Sequence, residues 1–242
     1  NGTHLFGGYK DSSEPFIRQS DGTVEYVGDE NTRQQRVDSS RLMNVAENGK
    51  TIFQSAPSGA GFIAEANSAN TDTVTFDGPQ VTDSDNAADN SGFKITLPAS
   101  GNPLNNIGVS NIDELDLDGS TSTIDTSSLD VAATDDGLRV TYKGVSIDLE
   151  GEPKGGSIVV APAESKNVNT DVFKTFEKAL GVLETPAETD QEQARLDNTL
   201  KTVMREFDNS LDNVLTERAS VGARLNELDV VDSVGRDRMI NY

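Results

Sequence analysis

The sequence has 242 residues, and its 41 acidic against 20 basic residues give a net charge of −21. So acidic a chain cannot neutralise phosphates, which argues against nucleic acid and anionic membrane surfaces as partners. The absence of cysteine excludes disulfides, thiolate metal sites and cysteine nucleophiles, and an apolar content of only 34% argues against one large compact core.

Residues 1 to about 52 show short strand patterns separated by turns. The stretch "THLFGGY" runs into the pair Gly7-Gly8, which is typical of a turn. The stretch "GTVEYVGD" alternates with a period of two around Tyr26, as a strand does. The stretch "GKTIFQSA" predicts another short strand that ends near Pro57.

Residues 53 to 163 carry the pattern of a β-rich domain. Val74 and Phe76 share one face of a predicted strand, and a second strand follows in "GFKITLPA". Two alternating runs on either side of Lys143-Gly144 predict a β-hairpin, and "GGSIVVAP" predicts a further strand. The stretches "VTDSDNAADNSG" and "DGSTSTIDTSSLD" read as polar loops between the strands.

Beyond residue 169 the apolar spacing becomes helical. A first helix is predicted from 170 to 184, with Asn169 or Thr170 capping its start and Pro186 following its end. A second helix is predicted to begin near Asp190 and to run for about 50 residues, near 75 Å at 1.5 Å per residue. The sequence therefore predicts an α+β chain that is elongated rather than compact.

The long predicted helix carries an apolar stripe that the first helix is too short to cover. In "ERASVGARLNELD" the stripe passes through Val221, Leu225 and Leu228, and Gly222 sits among them although glycine costs about 1 kcal/mol in a helix interior. A small residue lets another helix approach closely. We therefore expect an assembly surface made of Val221, Gly222, Leu225, Asn226 and Leu228.

The residues of catalysis are scarce in this sequence. His4 is the single histidine, so a histidine triad or a multi-histidine metal site is unavailable. No nucleotide-binding or serine-hydrolase motif appears. A calcium loop starting at Asp116 fails, because Thr121 and Ser127 stand where a glycine and a glutamate are needed. The sequence thus predicts a protein that is not an enzyme and has no cofactor and no metal site.

Several short motifs, taken in order, resemble the flagellar hook-associated protein 3 family, the hook–filament junction proteins of the flagellin superfamily. They are "HLFGGYKDSSEPF", "EYVGDENTRQQRV", "NGKTIF", the strand-rich "GFIAEANSANTDTVTFDGPQVTD" and the helical "LDNVLTERASVGARLNELD". In the last motif Gly222, Ala223, Arg224 and Asn226 stand at the positions of the family's C-terminal helix signature, in which a glycine precedes Ala-Arg-x-Asn. His4 stands where an aromatic residue is usual, and Gly7 replaces a common serine.

The resemblance implies a discontinuous helical arm with a β-hairpin segment, 1–52 and 164–242, and a β-rich outer domain, 53–163. It implies a secreted structural protein of the bacterial flagellum, exported by the flagellar secretion apparatus. By self-assembly the protein would form a ring that joins the hook to the filament and serves motility. Its partners would be copies of itself, the neighbouring junction protein and flagellin, and an export chaperone is a further partner that the family allows.

Two other functions remain open at this point. One is a flagellin filament subunit, and the other is an extracellular β-rich adhesin or binding module on a helical stalk. The chain begins at Asn1 and ends in "GRDRMINY" without a helix stop signal. We therefore expect it to be a fragment that lacks both terminal helices of the family.

Overall fold

The computed structural model describes residues 4–38, 41–57, 61–67, 70, 73–112, 121–124, 128–163 and 170–240. The strands, in chain order, are β1 (Phe16–Arg18), β2 (Val24–Tyr26), β3 (Gln34–Asp38), β4 (Arg41–Asn44), β5 (Phe62–Ala66), β6 (Thr75–Phe76), β7 (Gln80–Val81), β8 (Phe93–Thr96), β9 (Gly108–Ile112), β10 (Thr121–Ile124), β11 (Leu129–Ala133), β12 (Gly137–Tyr142), β13 (Val145–Glu150) and β14 (Ser157–Pro162). The helices are α1 (Ser84–Ala87), α2 (Pro103–Asn106), α3 (Val172–Leu183) and α4 (Asp190–Ile240). The predicted α+β class is confirmed.

The chain divides into two units. Unit 1 contains residues 1–57, 170–177 and 206–242, and unit 2 contains residues 58–169 and 178–205. The long helix α4 therefore contributes its first 16 residues to unit 2 and the remainder to unit 1. Within the described residues, no helix carries an apolar stretch long enough to cross a lipid bilayer.

Unit 1 is built from two small antiparallel hairpins and part of α4. Strands β1 and β2 pair with Phe16 opposite Tyr26, and β3 pairs with β4 with Gln35 opposite Met43. An isolated bridge between Ala56 and Thr170 joins the segment after the hairpins to the chain two residues before α3. Such short strands have little independent stability, so they depend on side-chain packing within the unit.

The predicted strand in "GKTIFQSA" is wrong, because Lys50–Gln54 form a π-helical turn. The side-chain oxygen Oδ1 of Asn48 accepts hydrogen bonds from the backbone N–H and the hydroxyl of Thr51, at 2.9 and 3.0 Å, and so starts the turn. Asn213 of α4 donates to the carbonyl of Ile52 at 2.8 Å. These side-chain hydrogen bonds replace the backbone pairing that a strand would need, and Ile52 is buried.

Unit 2 contains two antiparallel sheets around one core. One sheet has the order β10-β9-β8-β14-β5, and the other has the order β11-β12-β13-β6 with β7 also paired to β13. The inward positions alternate along the strands, as a half-buried sheet requires. The core residues include Phe93, Ile95, Tyr142, Ile147 and Ile158, each at most 1% exposed. The predicted strand faces at Val74–Phe76 and Phe93–Leu97 are confirmed.

The predicted hairpin around Lys143-Gly144 is also confirmed. Strands β12 and β13 pair from Gly137↔Glu150 to Tyr142↔Val145, with a two-residue turn between them. Both turn residues have positive φ, 43° at Lys143 and 75° at Gly144, which is the geometry of the favoured hairpin turn. A Cβ at Gly144 would lie 2.3 Å from the carbonyl oxygen of Asp83, so this position requires glycine.

One predicted polar loop contains a helical turn. Asp83 accepts hydrogen bonds from the backbone N–H groups of Asp85 and Asn86, and α1 follows. Hydrogen bonds from the backbone N–H and then the side-chain amide of Asn86 hold the pKa of the Asp83 carboxyl below its usual value, and the backbone N–H of Asp85 adds to this effect. In the other loop, residues 121–124 form β10, and Asp116, Asp118 and Asp125 of the tested calcium loop lie outside the described residues.

Helices α3 and α4 match the helical spacing of the sequence, and their first turns show why they begin where they do. Asp171 caps α3 by accepting from the N–H of Phe173 at 2.9 Å, so the cap is Asp171 rather than Thr170 or Asn169, the last of which lies outside the described residues. Thr189 and Glu192 form a capping box at the start of α4, with hydrogen bonds of 3.2 and 2.9 Å. Hydrogen bonds from the hydroxyl and then the backbone N–H of Thr189 lower the pKa of Glu192.

Candidate assembly surface

An open apolar groove of about 740 Å³ lies within unit 1. Its walls come from the loop at residues 4–8, the end of the β3–β4 hairpin and the segment that follows it, and one face of α4. The residues that line it are His4, Leu5, Phe6, Gly7, Gly8, Asp11, Arg33, Met43, Asn44, Val45, Ala46, Glu47, Ile52, Phe53, Val214, Glu217, Arg218, Val221, Arg224, Leu225 and Leu228. The groove is therefore a feature of tertiary structure rather than of any one segment.

The helix wall contains three of the five residues predicted as an assembly surface. Val221, Leu225 and Leu228 lie at spacings of four and three, so they share one face of α4 and point into the groove. Val221 is 42% exposed and Leu225 is 58% exposed, although both are large and apolar. Such exposure marks a surface whose apolar area is available to another chain segment.

Gly222 and Asn226 do not line the groove. A Cβ built on Gly222 would meet no atom within 4 Å, so no described part of this chain makes the close approach predicted there. Asn226 is exposed. Contact of these two residues with another molecule stays a prediction.

The loop wall opposite α4 has a fixed backbone. Phe6 has φ of 68° and Gly8 has φ of 62°. A Cβ at Gly8 would lie 2.3 Å from the carbonyl oxygen of Asp29, so only glycine fits. The Tyr26 hydroxyl lies 2.9 Å from the carbonyl oxygen of Phe6 and 2.8 Å from that of Asp29. Partial burial raises the pKa of the Tyr26 hydroxyl above its ordinary value.

A cluster of aromatic rings forms part of this wall and packs against it. Phe53 lies between Phe6 and Phe16, with ring centroids 5.3 and 5.8 Å away in edge-on arrangements. Phe16 also contacts Tyr26 at 5.3 Å and Phe173 of α3 at 5.0 Å. Such edge-on and tilted pairs are favourable beyond the area they bury. The cluster explains why Leu5 and Phe6, noted in the sequence only as a motif, stand beside the helix face.

Ion pairs join the hairpin to the helix wall. Arg224 pairs with Glu47, and Arg41 pairs with Glu227. Arg33 pairs with Asp11 across the loop wall at 3.4 Å. Sequence reasoning placed Arg224 in a motif but missed Arg41, Glu47 and Glu227, because their partners lie about 180 residues away along the chain.

The lining of the groove is mainly apolar. His4 lines it, and the backbone N–H of His4 donates to the carbonyl of Asp11 at 2.7 Å. Across the described ranges, no three histidine or acidic side chains gather closely enough to hold a metal ion. The surface presents exposed Leu5, Phe6, Val221 and Leu225, with charged residues also among the lining.

Comparisons with known proteins support the resemblance seen in the sequence. No family model matches the chain. A flagellar hook-associated protein 3 from Escherichia coli K12 is 39% identical over 87 residues, which is 35% of this chain and 27% of the relative. The chain thus matches about a quarter of that relative's length.

Solved structures match over almost the whole chain. The crystal structure of FlgL from Xanthomonas campestris has a TM-score of 0.78 and 25% identity, and the match covers 99% of this chain and 72% of that one. The flagellar junction protein FlgL from Legionella pneumophila has a TM-score of 0.75 and 23% identity, covering 97% and 70%. The resemblance to the flagellar hook-associated protein 3 family is confirmed in both sequence and fold.

Proposed function

We propose that this chain is a structural part of the bacterial flagellum that joins the hook to the flagellin filament. The observation that carries the proposal is the match of fold over nearly the whole chain to FlgL structures, one of them described as a flagellar junction protein. The shared sequence segment with flagellar hook-associated protein 3 supports the same role. The protein acts by packing, not by catalysis.

Unit 1 is the part that assembles. Val221 and Leu225 are exposed on the helix face that they share with Leu228, and the adjacent Gly222 leaves room for a helix backbone to come close. Gly222 and Asn226 extend the surface around the helix. Copies of the chain associate in a ring through unit 1, and the ring contacts the neighbouring junction protein on one side and flagellin on the other.

The two units divide these tasks as the family resemblance suggests. On this proposal the helical arm, 1–52 and 164–242, lies mainly in unit 1 and the outer domain, 53–163, lies mainly in unit 2, while residues 178–205 of the predicted arm group with unit 2. The protein reaches its extracellular position through the flagellar secretion apparatus, with an export chaperone as a further partner. The absence of cysteine suits a chain that is exported unfolded, since no disulfide has to form before passage.

The direct test is a clean deletion of the coding region in the source bacterium, with the same gene restored on a plasmid as the control. Cells are examined by electron microscopy, and flagellin is assayed in the medium. Bare hooks with flagellin shed into the medium are the expected result. Normal filaments would contradict the junction role and favour the adhesin, whereas hooks with no flagellin made at all would identify the chain as the filament protein.

A further inference from the structure

Two ion pairs join hairpin β3–β4 to helix α4, and the helix carries the positive charge in one pair and the negative charge in the other. Arg224 of the helix pairs with Glu47, which follows the hairpin, and Glu227 of the helix pairs with Arg41 at the start of β4. The helix thus presents a positive and then a negative charge, and the hairpin segment presents the complementary charges. We call these four residues, Arg41, Glu47, Arg224 and Glu227, the charge clasp.

Arg224 is the anchor of the clasp. Besides its pair with Glu47, it donates from Nη1 to the carbonyl of Asn44 at 3.2 Å. It also donates from Nε to the carbonyl of Ser220 at 3.3 Å and from Nη2 to the hydroxyl of Ser220 at 3.1 Å. The side chains of Arg224 and Glu47 are only 19% and 20% exposed, so solvent screens this pair less than an open surface pair.

Apolar packing alone specifies the position of this hairpin weakly. Met43 is buried, but Leu42 is 58% exposed, and β3 is largely polar. The β3–β4 pairing also contains an irregularity between Arg36 and Asp38. A short, polar, two-stranded element has little apolar area with which to fix its position along a helix.

The hydrogen bond from Asn213 of α4 to the carbonyl of Ile52 ties the chain to the helix five residues beyond Glu47, and the polarity of the clasp adds a selection at the hairpin itself. Arg224 and Glu227 are three residues apart, which is about 4.5 Å along a helix. If the hairpin slid by this distance toward the end of α4, Glu47 would face Glu227. If it slid the other way, Arg41 would face Arg224. Either displacement replaces an attractive pair by a pair of like charges. The repulsion in the displaced positions therefore favours the native position as much as the attraction in the native position does.

We propose that the charge clasp is a register lock, which holds hairpin β3–β4 at one position along α4 and thereby fixes the hairpin wall of the groove. Asn44, Val45, Ala46 and Glu47 of that wall line the groove, and all of them lie within or next to the clasped segment. Arg224 is the main positioning residue. The proposal concerns the chain itself and does not rest on the flagellar role.

A variant in which both clasp residues of the helix are positive and both clasp residues of the hairpin segment are negative tests whether the clasp selects one position or only attaches the hairpin. In Arg41→Glu with Glu227→Arg, the helix carries two positive charges and the hairpin segment two negative charges. Both pairs of the native register remain attractive, and the net charge is unchanged, but a slide in either direction now meets an attractive partner. The matched control reverses all four charges, by Arg41→Glu, Glu47→Arg, Arg224→Glu and Glu227→Arg. The control keeps the alternating polarity.

Spin labels report the register directly, and the absence of native cysteine makes labelling specific. Leu42→Cys on the hairpin and Asp208→Cys on α4 are both exposed and lie outside the clasp. Electron–electron distances are measured on the protein with native clasp residues, the single-polarity variant and the reversed control. A slide of one helical turn shifts the distance by about 5 Å.

We expect one distance for the native clasp and for the reversed control, and a second population shifted by about 5 Å in the single-polarity variant. A single unshifted peak in that variant would overturn the proposal, since the clasp would then only stabilise. A broad distribution without a second peak would overturn it as well, because retained attraction should hold the hairpin on the helix. Two peaks in the reversed control would show that polarity is not the cause.

Discussion

Asn198 is the residue through which the long helix completes a β-sheet in unit 2. Its Oδ1 accepts from the backbone N–H of Phe76 at 3.1 Å, and its Nδ2 donates to the carbonyl of Val74 at 2.8 Å. A primary amide thus offers the same donor and acceptor that a neighbouring strand would offer to β6. Asn198 is 6% exposed, so water cannot easily take its place.

We predict that Asn198→Ala destabilises the protein by about 1–3 kcal/mol, because the buried N–H of Phe76 in β6 and the carbonyl of Val74 just before β6 both lose their hydrogen bond to Asn198. Urea unfolding followed by circular dichroism measures the change. Gln193→Ala on the same helix is the matched control, since its side chain is exposed and makes only a 3.4 Å contact with Asp197. A loss below about 0.5 kcal/mol for Asn198→Ala would mean that the edge of β6 is satisfied in another way.

At the scale of elements, the helix α4 extends over 51 residues and keeps much of its apolar stripe uncovered. Val203 is buried, whereas Leu211, Val221 and Leu225 are between 42% and 58% exposed. A long amphipathic helix gains most of its stability from packing of its apolar face. The exposed part of α4 is therefore the part of the fold with the most to gain from a partner.

We predict that Gly222→Leu impairs assembly more than it harms the fold. No described atom lies within 4 Å of the added Cβ, and replacing glycine inside a helix favours the helix by about 1 kcal/mol. The melting temperature of the purified chain should stay equal or rise. Filament attachment, scored by electron microscopy and swimming in the complemented deletion strain, should fall.

Gly181→Leu is the matched control for this prediction. Gly181 also lies inside a helix, α3, and its added Cβ likewise meets no described atom within 4 Å. It should give the same helical gain while leaving filament attachment intact. Unchanged attachment in Gly222→Leu would count against the proposed contact, and an equal loss in both variants would indicate a general defect of the substitution.

The sequence predicted best those elements whose pattern is local. The period-two alternation around Lys143-Gly144 and the helical spacing of α3 and α4 require no knowledge of distant residues, and these elements form as predicted. The turn at Lys50–Gln54 was missed because a side chain of α4, Asn213, takes the place of a pairing strand. That hydrogen bond joins residues 161 positions apart, so no window of sequence contains it.

The same distinction applies to the candidate surface. The stripe of α4 indicates Val221, Leu225 and Leu228 from spacing alone, and the structure places all three on one wall of the groove. The opposite wall, with Leu5, Phe6 and the residues from Asn44 to Glu47, follows from tertiary packing of the aromatic cluster and the charge clasp. Complementary charges such as Arg41 and Glu227 can be paired in many ways in so charged a sequence, so spacing does not select them.

At the scale of the whole molecule, the main feature is the excess of acidic over basic residues. The chain has 41 acidic and 20 basic residues, so 21 acidic residues have no basic counterpart in any arrangement. Between residues 53 and 163 the basic residues are only Lys94, Arg139, Lys143 and Lys154. Ion pairs such as Arg139–Asp148 offset this locally, and the hydrogen bond from Arg139 lowers the pKa of Asp148. The excess nevertheless repels itself and opposes the compact state.

We predict that the melting temperature rises by several degrees between about 20 mM and 500 mM NaCl, because salt reduces the screening length from about 20 Å to about 4 Å. Neutralising three exposed carboxylates, with Asp89→Asn, Asp130→Asn and Asp135→Asn, should make this rise smaller. A melting temperature that falls with NaCl would mean that paired charges outweigh the unpaired excess.

Divalent cations distinguish screening from binding in the same experiment. Calcium and magnesium chlorides at equal ionic strength should raise the melting temperature equally if repulsion alone is relieved, because the Debye length depends on ionic strength and not on the identity of the ion. A rise specific to calcium would instead indicate a bound ion, since Ca²⁺ and Mg²⁺ differ in size and ligand geometry. That result would contradict the predicted absence of a metal site and would favour the binding module over the flagellar junction, so equal curves are the expected outcome.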